Sequence, residues 1–423
     1  MSGGTVLDDG ARSAVEVRLA ATDRLLARAY PGASPARQPI HTAYVPADAF
    51  TADLAADWGR RALEAAAAAG GVAALAREIG VDVAADLVEA KLAAEPIEDL
   101  RLDFEDGYGN RPDAEEDADA VRVGHEVNRA VAAGTAPPFI GIRFKCLEAP
   151  TRARGLRTLD LFIGALMESG GLPDGLVLTL PKVSTVAQVE AMVYVCERLE
   201  AAHRLAPKRL RFEVQMETPQ LILGADGTVP CAQVIHAGAG RVTSLHYGTY
   251  DYSASLGIAA AYQSMEHPAA DYAKSVMQVA VAGTGVHLSD GSTNILPVGD
   301  PEHVLEAWKL HARLVRRHLE RGIYQGWDLH PAQLPTRYLA TYAFYRDGFA
   351  AAAARLRNYV HRIESSIMDE PATAKALADF IHRGLACGAL TAPEVESAVQ
   401  IDVEALRTLA LGRPMQPAKE SHV

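Results

Sequence analysis

Short runs of β-branched and aromatic residues recur along the chain, and each is followed by a longer stretch whose apolar residues return at helical spacing. The β-rich runs are HTAYVPA (41–47), LRLDFED (100–106), FIGIRFK (139–145), LVLTLPKV (176–183), RFEVQME (211–217), RVTSLHYG (241–248), GVHLSDG (285–291) and IYQGWDL (323–329). Strands that alternate with helices predict a parallel sheet. Eight such units over roughly 290 residues favour an α/β fold of the closed (β/α)8 (TIM) barrel type, which takes about 250 residues plus insertions. The structural alternative is an open doubly wound sheet. That fold would want a glycine-rich phosphate loop after its first strand, and VPADAFTADL offers neither GxGxxG nor GxxxxGKS.

The helices between the runs carry their own start signals. Ser184 or Thr185 can cap VAQVEAMVYVCERLEAAHRL, with Thr185 and Gln188 at capping-box spacing, and Pro219 stands at a first helical position. Two regions depart from the alternation. Residues 48–98, rich in alanine, predict a helical insertion after the first strand, and residues 336–423 read as a wholly helical C-terminal extension. The barrel with its insertion is therefore placed at 36–335. The extension is expected to pack on its own barrel, to cover the mouth or to build an oligomer interface, and the chain is expected to form a homo-oligomer. The segments 1–35 and 412–423 read as frayed ends.

Composition narrows the class of protein. At 423 residues, 49% hydrophobic and 22% charged, the chain can bury a large core. A formal net charge of −12 argues against a nucleic-acid surface while leaving room for a local basic pocket. Cys146, Cys196, Cys231 and Cys387 lie far apart without a CxxC pair, against a zinc ribbon or disulfide framework and in favour of a reducing cytoplasm. The N-terminus lacks a basic segment followed by an apolar one, and no stretch reaches about 18 uncharged apolar residues, so neither export nor a membrane span is expected.

Polar residues gather where the β-rich runs end, the position at which barrels of this kind keep their chemistry. Glu105 and Asp106 follow the second run, Arg143 and Lys145 sit on the third, Lys182 follows the fourth, and Glu217, Asp251, Asp290 and the Asp328–His330 pair come after. Glu217 and Asp251 together could hold a hard divalent cation such as Mg²⁺ or Mn²⁺, with substrate and water oxygens completing its shell. The competing reading is a metal-free ion network in which they bridge Arg143 and Lys182. Arg143, inside the apolar stretch FIGIRF, offers a bidentate fork for a carboxylate or carbonyl oxygen. Asp290 with Gly291 can equally be a turn, and His330 before Pro331, an isolated histidine, reads rather as a helix cap. His41 and His246 read as satisfied core residues, and Cys146 as a buried thiol.

In order along the chain, these stretches resemble those of the citrate lyase β-subunit-like and 2-oxoacid aldolase family. HTAYVPADAF is similar to its opening "SxLFVPG", LRLDFEDGYG to "DLEDAV", IGIRFK to "VRxN", LVLTLPKVST to "LPKVES", VQMETPQLILG to "xxETxxG" and LHYGTYDYSASLG to "xxFGxxDLxxxLG"; SDGS and WDLHPAQL resemble "DG" and "IHPSQ". The resemblance implies a (β/α)8 barrel using Mg²⁺ or a similar ion. It places the metal ligands at Glu217 and Asp251, the substrate-binding arginine at Arg143, and the supporting acidic pair at Glu105 and Asp106. Asp106 stands where the hydroxy-oxoacid aldolase branch has a histidine, which favours the citrate-lyase-like branch, and Lys145 replaces the asparagine after the arginine. The arginine-glycine-tryptophan signature of malate synthases does not follow Arg143.

The implied activity is metal-dependent cleavage or formation of a carbon–carbon bond in a small hydroxy or oxo acid, or its coenzyme A thioester, through an enolate. Asp106 is the first candidate for the general base and His330 the second; Lys182, Asp290 and His330 are expected to help Arg143 bind substrate. A thioester hydrolase or a malate-synthase-like Claisen enzyme could use the same groups, and a non-catalytic metabolite-binding barrel is the third possibility.

Overall fold

The computed structural model describes residues 6–363 and 369–413. Eight parallel strands form one sheet: β1 His41–Pro46, β2 Asp99–Asp103, β3 Phe139–Arg143, β4 Leu178–Leu180, β5 Phe212–Met216, β6 Val242–Tyr247, β7 His287–Ser289 and β8 Gly326–Asp328. Neighbours in sequence are neighbours in the sheet, and β8 returns to pair with β1. Backbone bonds from Asp290 N–H to Gln325 O (2.9 Å) and from Trp327 N–H to Gly291 O (3.0 Å) bridge β7 and β8. The ring is thereby a (β/α)8 barrel, and each of the eight β-rich runs contains one of its staves.

Side chains alternate across each strand, and here the alternation is reversed from an apolar-lumen barrel. Leu100, Leu102, Ile140, Ile142, Leu178, Leu180, Phe212 and Val214 are buried in the main apolar cluster with the surrounding helices. The residues between them, Asp99, Arg101, Asp103, Arg143, Thr179, Glu213 and Gln215, are also buried; all but Gln215, which donates to Tyr44, bond to one another across the lumen. Arg101 of β2 reaches Glu213 of β5 through Nε (3.2 Å) and Nη2 (3.1 Å), Asp99 through Nη2 (2.8 Å) and Val177 O through Nη1 (2.7 Å). Gly141 makes room for it, since a Cβ there would stand 1.7 Å from Val177 O and 3.0 Å from Arg101 Nη1. Buried charges need partners, and this crossing satisfies both acids and the arginine.

Outside the ring, the insertion forms helices Leu54–Ala68, Val72–Glu78 and Ala85–Ala94, and the C-terminal part forms Leu334–Val360, Pro371–Ala386, Ala392–Val399 and Val403–Ala410. The last four close a second apolar cluster around Leu356, Ile381, Val395 and Leu406. Thr185 and Gln188 make the expected capping box, and Pro219 opens its helix. The segment expected to fray at 1–35 instead contains a helix, Asp9–Ala29, that buries no residue. Its start is held by Asp8, whose carboxylate accepts from Ala11 N–H at 2.7 Å. Of the C-terminal end expected to fray, residues from 414 onward lie outside the described residues. No described helix is long and apolar enough to cross a membrane.

Candidate active site at the mouth of the barrel

The ends of β2 and β3 build the centre of the mouth. In the sheet register Asp103 lies directly beside Arg143, and both side chains point inward. The Asp103 carboxylate accepts from Arg143 Nε and Nη2, each at 2.6 Å, and from the backbone N–H groups of Glu105 (2.9 Å) and Gly107 (2.7 Å). This bidentate fork fixes the guanidinium plane. The Tyr44 ring lies 5.0 Å from the Arg143 guanidinium carbon, and the Trp327 ring lies 4.6 Å from Tyr44. The remaining nitrogen, Nη1, approaches Glu105 Oε2 at 3.4 Å and Asp106 Oδ2 at 3.9 Å. Burial alone would weaken the guanidinium's hold on its proton, yet Asp103 and Glu105 keep its pKa well above the usual arginine value.

Lys182 and Glu217 come from the ends of the next two strands. Lys182 has φ 48°, a left-handed conformation rare for a residue with a side chain. That turn aims its backbone N–H at Glu217 Oε1 (2.7 Å) and its Nζ at Glu105 Oε1 (2.5 Å) and Asp106 Oδ1 (2.7 Å), with Asp251 Oδ2 3.8 Å away. Asp251 sits in the first turn of the helix Thr249–Ser255. The helix begins after Gly248, where a Cβ would stand 2.6 Å from Glu217 Cβ and 2.7 Å from its Oε2. Glycine at this position lets the Glu217 and Asp251 segments approach.

The mouth therefore collects five carboxyl groups, Asp103, Glu105, Asp106, Glu217 and Asp251, around two cations, Arg143 and Lys182. The excess shows in their acidities. Burial first, then the charges of Glu105 and Asp251, push the Glu217 carboxyl up to about 8. Burial and Asp106 raise Glu105 to about 7 against the pull of Arg143 and Lys182. Asp251 is raised as well, mainly by burial. Asp106 goes the other way: burial opposes its ionisation, but Arg143 and Lys182 hold it below the usual carboxylate range. Burial works against the Lys182 ammonium too, and Glu105 and Asp106 keep it protonated.

A cavity of about 470 Å³ opens over this cluster, lined by Asp103, Asp106, Arg143, Glu217 and Asp251 together with Tyr44, Pro46, Trp327 and Leu329. Among the described residues, no hydrogen bond reaches Glu217 Oε2 or either carboxylate oxygen of Asp251. Nor do three or more His, Cys, Asp or Glu side chains converge as a complete metal cage among them. Two carboxylates with free oxygens, in an acid-rich pocket, fit a small hard cation that keeps water and substrate oxygens for the rest of its shell.

Of the residues singled out in the sequence, Glu105, Asp106, Arg143, Lys182, Glu217 and Asp251 thus come together. Asp290 and His330 do not. The Asp290 carboxylate accepts from Lys274 Nζ at 3.0 and 2.9 Å, on the helix Pro268–Val281. A buried acid takes the nearest buried cation, and here that cation belongs to the helical layer. His330 caps the turn Pro331–Gln333, its Nδ1 accepting from Ala332 N–H at 3.2 Å. Asp328 likewise turns outward, to His41 (2.7 Å), His311 (3.0 Å) and Arg337 (3.0 Å). Lys145 is held by Glu116 (2.8 Å) and Phe104 O (2.7 Å). Sequence reasoning passed over Asp103, Tyr44 and Trp327. The signal for Asp103 was present, because it shares inward parity with Arg101 and stands opposite Arg143.

A family model described as a domain of unknown function (DUF6986) matches residues 19–413. No curated protein matches the sequence. Among solved structures, the chain is similar to the CitE protein of Mycobacterium tuberculosis in complex with magnesium, acetoacetate and coenzyme A, at 18% identity over 82% of this chain and 98% of that one, with a TM-score of 0.47. It is similar to malate synthase of Haloferax volcanii in its magnesium and glyoxylate complex, at 13% identity over 86% and 98% of the two chains, TM-score 0.47. An HpcH/HpaI aldolase/citrate lyase family protein from Burkholderia cenocepacia follows at 16% identity over 73% and 93%, TM-score 0.39. Likeness at this level leaves the chemistry to be argued from the chain's own residues.

Proposed function

The chain belongs to the DUF6986 family, and we propose that it is a divalent-metal-dependent carbon–carbon lyase, of the aldolase or citrate-lyase-like kind, acting on a small hydroxy or oxo acid or its coenzyme A thioester. The observation that carries this reading is the juxtaposition of a clamped guanidinium with two under-bonded carboxylates across one cavity. Glu217 and Asp251 are the residues that would hold Mg²⁺ or Mn²⁺. When bound, such an ion supplies positive charge next to the substrate's carboxylate and carbonyl oxygens.

The protein's own groups then have separable tasks. Arg143, held by Asp103, keeps Nη1 for the oxygen on which enolate charge develops. Lys182 stays protonated and offers a second cation to a substrate carboxylate. In the cleavage direction a base takes the proton of the β-hydroxyl group, the bond between the α and β carbons breaks, and its electron pair passes to the α-carbon and onward to the carbonyl oxygen. Asp106, which lines the cavity, takes that proton, and Glu105, whose carboxyl is raised to about 7 and which shares the Lys182 ammonium with it, exchanges it near neutral pH. Tyr44 and Trp327, their rings 4.6 Å apart and tilted by 35°, give the cavity an apolar side next to Arg143.

The test is a product analysis with Mg²⁺ present, using hydroxy acids, glyoxylate or pyruvate with candidate acceptors, and their coenzyme A thioesters. Two carbon fragments from one substrate are the expected result, with Arg143→Lys slower by at least about 100-fold. Release of only an acid and a free thiol would replace this reading by thioester hydrolysis. No turnover of any member, with no effect of Mg²⁺ on binding, would overturn it.

A further inference from the structure

A second cavity, of about 250 Å³, lies at the opposite end of the barrel, between the loop 32–40, the beginnings of β7 and β8, and the helices Pro371–Ala386 and Val403–Ala410. Arg37, Lys375, Arg383 and Arg407 line it against one acid, Asp379, although the chain as a whole carries a formal charge of −12. The four cations are not equally occupied. Arg37 is taken up by Glu95 (2.7 Å) and Glu98 (2.6 Å). Arg383 is held in place without being saturated: Nε donates to Asp379 at 2.9 Å, Nη1 to Gln38 Oε1 at 2.7 Å, and the guanidinium carbon lies 4.3 Å from the Tyr324 ring centroid. Its Nη2 has no hydrogen-bond partner among the described residues and is not sealed from solvent. Arg407 donates to Pro35 O at 3.3 Å, with its nearest carboxylate, Glu404, 3.8 Å away.

The local potential is visible on neighbouring groups. Burial first, and then Arg383 and Arg211, hold the His287 imidazole down to about 4. His382 is lowered by burial, with Arg407 and Arg383 adding to it against Asp379. Tyr324, Tyr345, Ile40 and Val286 supply apolar walls between the cations. A guanidinium whose plane is fixed by an acid, an amide and an aromatic face presents its free N–H in a set direction, which favours an oxygen anion there over a loosely hydrated counterion.

We propose that this rear cavity binds a small organic anion bearing at least two negative charges on carboxylate or phosphate oxygens, with Arg383 Nη2 as the fixed donor and Lys375 and Arg407 completing the charge. The site is independent of the chemistry at the mouth. It is tested by calorimetric titration of the full chain with citrate, succinate and inorganic phosphate at low ionic strength, with sodium chloride as control, while the imidazole signals of His287 and His382 are followed by NMR. Saturable binding of at least one probe is expected, with an upward shift in the pKa of His382 and at least a tenfold loss of affinity in the K375Q/R407Q double variant. Preference for citrate or succinate over phosphate, or the reverse, identifies the anionic group. Glu217→Gln, which alters only the mouth, should leave this binding unchanged. The double variant keeps the Asp379 and Gln38 anchors of Arg383, so it tests the site even where Arg383→Gln fails to fold. Absence of saturable binding by all three probes, undiminished binding in the double variant, or loss of binding in Glu217→Gln would each overturn the proposal.

Discussion

Two ion networks lie one above the other inside this barrel, one buried and one open at the mouth, and they differ in how completely the protein answers them. In the lower one, Arg101 joins Asp99 and Glu213, and every carboxylate oxygen has a close donor. Asp99 receives Thr42 at 2.8 Å, while Glu213 receives Thr179 at 2.6 Å on one oxygen and faces Arg101 and His246, each at 3.1 Å, on the other. In the upper one, at the mouth, Glu217 has a single donor and Asp251 only a distant ammonium. Charge alone does not tell a structural network from a site, since both are rich in acid. The difference lies in whether acceptors are left over and whether they face open space.

The largest expected effect breaks the lower network. Arg101→Met would leave Asp99 and Glu213 buried without their cation, and a loss of about 3–5 kcal/mol is expected. Urea unfolding measures it, and a loss below about 1 kcal/mol would show that this crossing is not what holds the lumen.

At the mouth the same kind of deletion should behave oppositely. Glu217→Gln is expected to lower metal-dependent turnover by about 10²–10³-fold while leaving the melting temperature equal or higher. The sign follows from the raised acidity constant. With a folded value of about 8 above the ordinary glutamate value, the native state binds the proton more tightly than the unfolded chain, so ionising Glu217 costs stability as pH climbs through that window. The amide removes this cost. Added Mg²⁺ should raise the melting temperature of the wild type and not of the variant, and equal stabilisation of both would remove Glu217 from the metal site.

A third test concerns acid. His246 and His287 are held to about 4 and His318 to about 3, in each case chiefly by burial. Their folded values lie below the unfolded ones, so between about pH 6.5 and 4 the unfolded chain takes up protons that the native barrel refuses. These histidines should each lower stability as pH falls through that window, by up to about 1.4 kcal/mol per pH unit, against the opposite contribution of the raised Glu217 and Glu105 carboxyls. Denaturant midpoints at successive pH values, compared between the wild type and His287→Gln, check this, and identical profiles would contradict it. The smallest effect is expected from Gly248→Ala, whose new methyl group must displace Glu217. A stability cost of about 1–3 kcal/mol with a loss of Mg²⁺ affinity of about tenfold or more would tie the glycine to the site, and unchanged affinity would not.

Much of the ring was legible along the chain because strand chemistry is local. Runs such as FIGIRFK and RFEVQME carry β-branched and aromatic residues between clear helix starts, and each proved to hold one strand. The mouth was legible as far as it depends on position at a strand's end, which located Glu105, Arg143, Lys182 and Glu217. It failed where a polar residue at that same position turns outward. Asp290 and Asp328 stand at strand ends like Glu217, but Lys274 and Arg337 wait for them in the helical layer. Asp103 was overlooked for the converse reason, since nothing next to it in sequence reveals that Arg143 is its partner.

The sequence by itself determined the period of the elements, the parallel order of the strands and the segments from which the mouth is built, because backbone preference and side-chain alternation act between near neighbours. Only the tertiary structure decided which side of each strand faces the lumen, which acids find a cation and which keep oxygens free. Those outcomes depend on groups far apart in the chain, such as Arg101 with Glu213, 112 residues apart, whose interaction energy exists only once the ring has closed and water has left it.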